Sequence, residues 1–261
     1  MSGERLEGEI SLVTGSGAGN GRAIAVKLAQ MGSKVVVNDI DGERAKSVGK
    51  EIEEAGGDAL ITVGDATDQG DVKKVAEKVK NQLGRVDVLV NNVGLFEAIK
   101  FTEMDLEDWR RYMALNLDSM YMYTYEFLPG MIDREHGKIV NISSDAGKSG
   151  YSELVAYSAA KHGVVGFTRA LAKEVADKGI NVNAVCPGYI ETEMHWNFLE
   201  QWAKATGKAE EEIEEEAIAG IPLGKFGRPE YVAELVGFLA SSATDWMTGQ
   251  SLNISGGLET H

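Results

Sequence analysis

Residues 10–32 read ISLVTGSGAGNGRAIAVKLAQMG: five strand-forming residues, a turn carrying Gly15, Gly19 and Gly21, and then a helical pattern. That order puts the free N–H groups of a helix N-terminus at the end of a strand, where a phosphate is held. Gly15 permits the tight turn, Gly19 lets backbone approach a pyrophosphate, and Gly21 lets the helix pack close. A glycine triplet alone is weak, and a turn that needs positive φ is its ordinary explanation. Three glycines that follow a strand and open a helix point instead to a dinucleotide-binding turn.

The same alternation continues outward. Short β-branched runs recur as KVVVND (34–39), ALITV (59–63), VDVLVNN (86–92), KIVNISS (138–144), INVNAVC (180–186) and SLNIS (251–255), and helical periodicity fills most of the gaps. Several runs are apolar on both faces, as strands of a parallel sheet covered on each side must be. The expected architecture is one doubly wound α/β domain over residues 1–261, with the longest interruption lying between Pro187 and Pro229. An insertion there is expected to form a substrate lid at about 189–228.

The second run ends at Asp39, eighteen positions past Gly21, where an acidic side chain hydrogen-bonds the adenosine ribose hydroxyls. A 2′-phosphate about 5 Å from that carboxylate is repelled by several kcal/mol at an effective dielectric near 20, roughly a hundredfold or more in affinity. Ser16 offers no compensating cation, so the cofactor reads as NAD. Asp39 can also cap the next helix, although Asp41 is the better placed cap.

At the chemical end, Tyr157 and Lys161 stand four apart in the helical stretch YSAAKHGVVGFTRALAKEV and so share a face. A lysine cation and an oxidised nicotinamide, each within about 5 Å, contribute roughly two pKa units apiece at dielectric 20, enough to bring a phenol toward neutrality. Upstream, KIVNISS ends at Ser143 and Ser144, and ligands of parallel sheets bind beyond the carboxyl ends of strands. Asn116 lies within WRRYMALNLDSMYMYTYEF, where asparagine is a poor helix former and invites a functional or water-bridging explanation. His136, His162, His195 and His261 show no ligand spacing, and no metal is expected.

Bulk properties bound the rest. A chain of 261 residues with 43% hydrophobic composition can bury a single core. The N-terminus MSGERLEGE lacks the apolar stretch of a secretory leader, and no run is long enough to cross a membrane, so a cytoplasmic protein is expected. One cysteine, Cys186, excludes an internal disulfide and reads as a buried strand end. A net charge of −15 argues against nucleic-acid partners. The run EEEIEEE at 210–216 reads as a solvated helix face.

Taken together, Thr14 to Gly21, Asp39, NNVG at 91–94, Asn116, Ser144, Tyr157, Lys161 and PGYIET at 187–192 resemble the short-chain dehydrogenase/reductase family along essentially the whole chain. The resemblance implies a Rossmann-type, seven-stranded parallel sheet with helices on both faces, a homotetramer, and a catalytic tetrad of Asn116, Ser144, Tyr157 and Lys161. It also implies cofactor contacts from Gly15, Ser16, Gly19, Asn20, Gly21, Asp39 and Ile40. Asp65 and Ala66 would flank the adenine and Asn91 would brace the adenosine side. Val93, Gly94, Tyr157, Lys161, Pro187, Gly188, Ile190 and Thr192 would line the nicotinamide half. Asn20, at a position usually aliphatic, and Val93, at a common alanine, depart from the family pattern. The implied chemistry has Ser144 on the substrate oxygen, Tyr157 moving the proton, and Lys161 with an Asn116-held water relaying it outward.

The implied reaction interconverts a secondary alcohol and a ketone, with Ser144, Asp145, Tyr189, Met194 and Trp196 as candidate substrate contacts. The stretch SDAGKSGYSELVAY is similar to dehydrogenases of alicyclic hydroxyacyl-CoA thioesters, and the lid is similar to those of acetoin and polyol dehydrogenases; 3-oxoacyl reduction is a further alternative. Trp196, Phe198 and Trp202 fall at helical spacing and form either an apolar roof over substrate or a packing face. Lys148, Lys204 and Lys208 are candidates for a CoA phosphate, or simply solubilising. A non-catalytic NAD-binding subunit is the rival of a different class, which the intact tetrad opposes. The aromatic stretch MALNLDSMYMYTYEFL suits either a subunit interface or a buried core helix.

Overall fold

A computed structural model describes residues 5–261; Met1 to Glu4, the start of the stretch read above for a missing leader, lie outside the described residues. Seven parallel strands form one sheet: β1 (Ile10–Thr14), β2 (Lys34–Asp39), β3 (Asp58–Val63), β4 (Val88–Asn91), β5 (Gly137–Ile142), β6 (Ile180–Pro187) and β7 (Ser251–Ile254). Their order is β3-β2-β1-β4-β5-β6-β7, so the winding reverses between β1 and β4. That reversal opens a crevice at the carboxyl ends of the central strands. All seven runs picked out in the sequence are strands, within a residue or two at their ends.

The strands are apolar on both faces because both are covered. Against one face lie α1 (Gly19–Gln30), α2 (Gly42–Glu54) and α9 (Pro229–Ala240), closing a core with Ile24, Leu28, Val48, Ile52, Val232 and Leu239. Against the other lie α3 (Gln69–Leu83), α5 (Ser119–Asp133) and α6 (Val155–Val175), with Val72, Val79, Tyr123, Phe127, Met131 and Val175. Each such aliphatic or aromatic side chain contributes ~1.5–3 kcal/mol on full burial. Asp41 caps α2 by accepting from the Glu43 and Arg44 N–H groups at 2.9 and 3.1 Å.

A polar chain crosses the second core. Asn91 Nδ2 donates to Asn141 Oδ1 at 2.8 Å and to Thr124 Oγ1 at 3.1 Å, and Asn141 Nδ2 donates to Thr168 Oγ1 at 3.0 Å. It ties β4 and β5 to α5 and α6. Between α4 (Leu106–Met113) and α5 the chain makes a π-helical turn over Ala114–Asp118, which carries Asn116. The awkward asparagine of the sequence thus marks a local widening of the helix, the kind of bulge that re-aims a side chain.

The segment before α9 folds as α7 (Glu193–Thr206) and α8 (Glu210–Ala219), joined by a turn with Gly207 at φ +71°. Phe198, Leu199, Ala203, Ile213, Ala217, Ile221 and Phe226 give it a small core of its own. The acidic run at 210–216 lies on α8, whose one fully enclosed side chain in that run is Ile213.

Candidate active site

A cavity of about 1040 Å³ runs along the carboxyl ends of the central strands, from the glycine turn to the lid. That is the size of a site for two ligands end to end. At its nucleotide end, Gly15 (φ +61°) and Gly19 (φ +52°) hold the left-handed backbone that the turn requires. A Cβ on Gly21 would stand 2.1 Å from the Gly15 carbonyl oxygen, so only glycine lets α1 start this close to β1. No side chain caps α1, and its first N–H groups face the cavity with Asn20, whose buried Oδ1 has no partner. The uncapped helix start fits a dinucleotide pyrophosphate, whereas the orphaned Asn20 oxygen, an acceptor, fits a hydroxyl or N–H of the same ligand. Asp39 stands beside them: its carboxylate accepts from the Gly17 N–H at 2.7 Å and the Asp41 N–H at 3.0 Å.

Arg44 is the nearby cation and lines the same end. Its guanidinium is shared between Asp41, at 3.6 Å, and Glu193, at 3.2 Å. At the opposite wall, Thr192 Oγ1 caps α7 by accepting from the His195 N–H at 3.2 Å, and the Thr192 methyl would stand 3.3 Å from a Cβ on Gly19. The N-terminus of α7 therefore lies over the glycine turn.

At the far end, Asn116, Ser144, Tyr157 and Lys161 all line the cavity. Asn116 Oδ1 accepts from the Leu95 N–H at 3.0 Å, and its amide donates to the Tyr112 carbonyl at 3.1 Å. Lys161 is 3% exposed and donates to the Ile142 carbonyl at 3.0 Å, with its Nζ 5.7 Å from the centre of the Tyr157 ring. Gly147 allows α6 this close, since a Cβ there would stand 2.7 Å from the Lys161 carbonyl oxygen. Ser144 donates to Asp145 Oδ1 at 2.7 Å. Phe96 meets Tyr157 edge-on at 4.9 Å and Phe198 at 4.6 Å.

Burial governs the ionisation of this end. It pushes the Tyr157 phenol well up from its ordinary value, opposed by the neighbouring Ser144 hydroxyl, and it pushes the Lys161 ammonium down to about 8. The protein's own groups thus leave the phenol protonated at neutral pH, and Lys161 is not among the groups that lower it, so of the two charges expected from sequence to act on the phenol only that of a bound nicotinamide is left to do so.

Of the residues expected at the cofactor, all but two line the cavity. Ser16 is the first exception: its Oγ donates to the Val13 carbonyl at 2.9 Å and accepts from the Asn38 N–H at 3.0 Å, fastening the turn to β2 from inside. Asn91 is the second, committed to the polar chain under the sheet. Its neighbour Asn92, which the sequence reading passed over, faces the cavity and donates to the Thr14 and Gly15 carbonyls at 3.0 Å each. In a strand, adjacent residues point to opposite faces, and that alternation was the signal available.

Among the substrate candidates, Ser144, Asp145, Tyr189 and Met194 line the cavity and Trp196 does not. Trp196 is 43% exposed and packs against His195 and Phe226, with ring centres 5.1 and 5.8 Å away. Phe198 and Trp202 do both things anticipated, lining the cavity and packing in the lid. No lysine proposed for a CoA phosphate reaches the cavity: Lys148 donates to the Ser251 and His261 carbonyls at 2.7 Å each, Lys204 pairs with Glu200, and Lys208 pairs with Glu216. Tyr151, Leu95 and Phe96 also line the cavity and were not singled out from sequence. Away from this site, His136 comes near Glu9 and Asp87, but the Asp87 carboxylate is already taken by Arg85 Nε at 2.9 Å and Arg134 at 3.3 Å.

A dinucleotide turn at a strand-order reversal, with a tyrosine–lysine pair beyond the neighbouring strand ends, defines the class: a nucleotide-dependent oxidoreductase. Comparison with known proteins gives the family. A family model described as short chain dehydrogenase matches residues 9–203, and the chain belongs to that family. It is 41% identical over 254 residues to a 3-oxoacyl-[acyl-carrier-protein] reductase FabG of Thermotoga maritima, covering 97% of this chain and 99% of the relative. The FabG of Aquifex aeolicus is 41% identical over 255 residues, covering 97% and 98%. Among solved structures, a variant of actinorhodin polyketide ketoreductase with NADPH superposes with a TM-score of 0.94 at 38% identity, covering 97% and 98%. A protein described as an NAD(P)-dependent gluconate 5-dehydrogenase from Beutenbergia cavernae, with NADP at low occupancy, gives 0.89 at 37% identity, covering 98% and 99%.

Proposed function

We propose that this chain interconverts a secondary alcohol and a ketone with NAD as cofactor, using Asn116, Ser144, Tyr157 and Lys161 as its catalytic groups. The observation that carries the reading is that all four line one cavity continuous with the glycine turn. When bound, the nicotinamide supplies the site that takes or gives the hydride. Tyr157 holds the proton that moves to or from the substrate oxygen, and Ser144 positions that oxygen. Lys161, tied to the end of β5, and Asn116, tied to the turn after β4, carry the proton outward. Phe96 and Phe198 screen the reacting oxygen from bulk water.

Asp39 supports NAD over NADP. Its carboxylate is pinned where the ribose hydroxyls belong, and the one adjacent guanidinium is already shared between two carboxylates. Turnover of secondary alcohols with NAD, with NADP at least tenfold poorer and activity lost in Tyr157→Phe, is the expected result. Tight NAD binding without turnover of any alcohol or ketone points to a non-catalytic nucleotide-binding subunit.

A second reading, reduction of a 3-oxoacyl thioester, is favoured by the names of the relatives that share 41% of the sequence. The pairing of Lys148, Lys204 and Lys208 weighs against a CoA phosphate there. A homotetramer is proposed from Tyr121 and Tyr125, which are exposed on α5 with ring centres 5.9 Å apart and suit a second copy of the chain. Sedimentation as a 28.1 kDa monomer at micromolar concentration would remove that assignment. Among the described residues no helix is long and apolar enough to cross a membrane, and the single buried thiol fits the reducing cytoplasm.

A further inference from the structure

The cavity holds an acidic group for which hydride and proton transfer have no use. Asp145 is 9% exposed and lines the cavity next to Ser144. Its Oδ1 accepts from the Ser144 hydroxyl at 2.7 Å and the Ala146 N–H at 2.8 Å, and its Oδ2 accepts from the Tyr151 hydroxyl at 3.0 Å. All three donors are neutral, and among the described residues no cation offsets its burial. A carboxylate oxygen accepts two hydrogen bonds comfortably, and Oδ2 has received one. A buried carboxylate in this state gains from one more donor, and the cavity is where that donor comes from.

We propose that Asp145, framed by Tyr151, recognises a hydroxyl on the carbon next to the reacting one, so that the substrate class is a vicinal hydroxyketone and its diol. The inference rests on the hydride-transfer reading of the site. Ser144 has one proton, so turning it from Asp145 to a substrate ketone oxygen leaves Oδ1 one donor short, and a hydroxyl on the neighbouring carbon is placed to replace it. In reduction the ketone carbon takes the hydride, its oxygen takes the proton from Tyr157, and the neighbouring hydroxyl keeps its proton while donating to Asp145. Phe96, Leu154 and Met194 line the cavity with room for an apolar carbon skeleton.

The competing chemistry fits less well. A 3-oxoacyl thioester has a CH2 on the carbon next to the reacting one and offers Asp145 no donor, and the walls it meets carry Glu97, Glu103 and Glu153.

The test uses two ketones that differ by one hydroxyl, 3-hydroxybutan-2-one and butan-2-one, with NADH as reductant. The wild-type kcat/KM is expected to favour the hydroxyketone by about tenfold or more, the size of one charge-assisted hydrogen bond, and that ratio to fall toward one in Asp145→Asn. Tyr151→Phe uncovers a second position on Oδ2 and is expected to keep or widen the preference, so the proposal stays exposed if Asp145→Asn folds poorly. Binding of the two ketones to the NADH complex of Tyr157→Phe, followed by saturation-transfer NMR, reads the same preference without turnover. A binding preference with no turnover of either ketone in the wild type sinks the hydride-transfer reading and leaves the assignment of Asp145 standing. A wild-type ratio near one, an unchanged ratio in Asp145→Asn, a preference lost in Tyr151→Phe, or a higher kcat/KM for a 3-oxoacyl thioester overturns it.

Discussion

The ammonium of Lys161 donates to the main-chain carbonyl of Ile142 at 3.0 Å, joining the first half of α6 to the end of β5. No carboxylate pairs with it among the described residues, and burial holds its pKa down at about 8. The folded protein therefore carries a cation that would be better solvated in the unfolded chain, the signature of a group kept for chemistry at a cost in stability.

Lys161→Met is accordingly expected to abolish turnover while raising unfolding free energy by about 1–3 kcal/mol at pH 7, the upper end being set by two to three units of pKa depression. The sign with pH is definite. Above pH 8 the folded lysine begins to release its proton while the unfolded one keeps it up to its ordinary pKa near 10.5, so wild-type stability gains on the variant through that window. Guanidinium titrations of both proteins at pH 7 and pH 9.5 measure the gap. A gap that stays constant, or a variant less stable at pH 7, contradicts the argument.

Asp39→Ala removes the acceptor of the Gly17 and Asp41 N–H groups together with the charge proposed to face the ribose. NAD affinity is expected to fall about tenfold and the margin over NADP to shrink by a similar factor, as loss of one charge-assisted contact predicts. Fluorescence titration with each dinucleotide reads both values. An unchanged NAD:NADP ratio would show that Asp39 only braces the turn.

The sequence was most legible where one residue type has one physical use. The glycine turn, the seven apolar runs and the cap at Asp41 all follow from local rules, and each stands in the structure where those rules put it. Asn116 was legible as an anomaly, and the π-helical turn at 114–118 is its cause. Legibility failed where a one-residue choice depends on the opposite side of the fold. Asn91 and Asn92 are adjacent and chemically identical, and only the positions of Thr124 and Asn141 send Asn91 beneath the sheet and leave Asn92 at the cavity. In the lid, helical spacing grouped Trp196 with Phe198 and Trp202, but packing against Phe226 turns Trp196 away from the cavity. The lysines read for a phosphate could not be discounted without their partners, which lie up to 113 positions away in the chain.

Gly21→Ala tests the closeness of α1 to the turn. The added methyl would stand 2.1 Å from the Gly15 carbonyl oxygen and 2.6 Å from Asn92 Nδ2, so backbone must move. A loss of about 1–3 kcal/mol in stability is expected, with a larger proportional loss of dinucleotide binding because the displaced groups line the cavity. Thermal melts with and without saturating NAD separate the two effects. A variant that melts lower but keeps the wild-type shift on adding NAD would place the strain outside the binding turn.

His195 gives the α7–α8 segment an acid limit. Its ring is 5% exposed, its buried Nε2 has no partner, and Phe226 and Tyr189 lie with ring centres 4.5 and 5.6 Å away. Burial pushes its pKa down to about 4, below the ordinary value of 6.5. Between those two values the unfolded or opened segment binds a proton that the closed one refuses, so stability is complete above pH 6.5 and declines as the pH falls toward 4. By pH 5 the decline is about 1–2 kcal/mol, and because the ring sits in the small core of α7 and α8 it should appear first as local opening there. Hydrogen exchange of residues 193–219 at pH 7 and pH 5 measures it, with His195→Phe as the control that fills the same aromatic cluster without a titrating group. Protection in the lid that falls equally in wild type and variant would assign the acid response to another group, whereas protection that falls only in the wild type ties access to the substrate cavity to the protonation of this one imidazole.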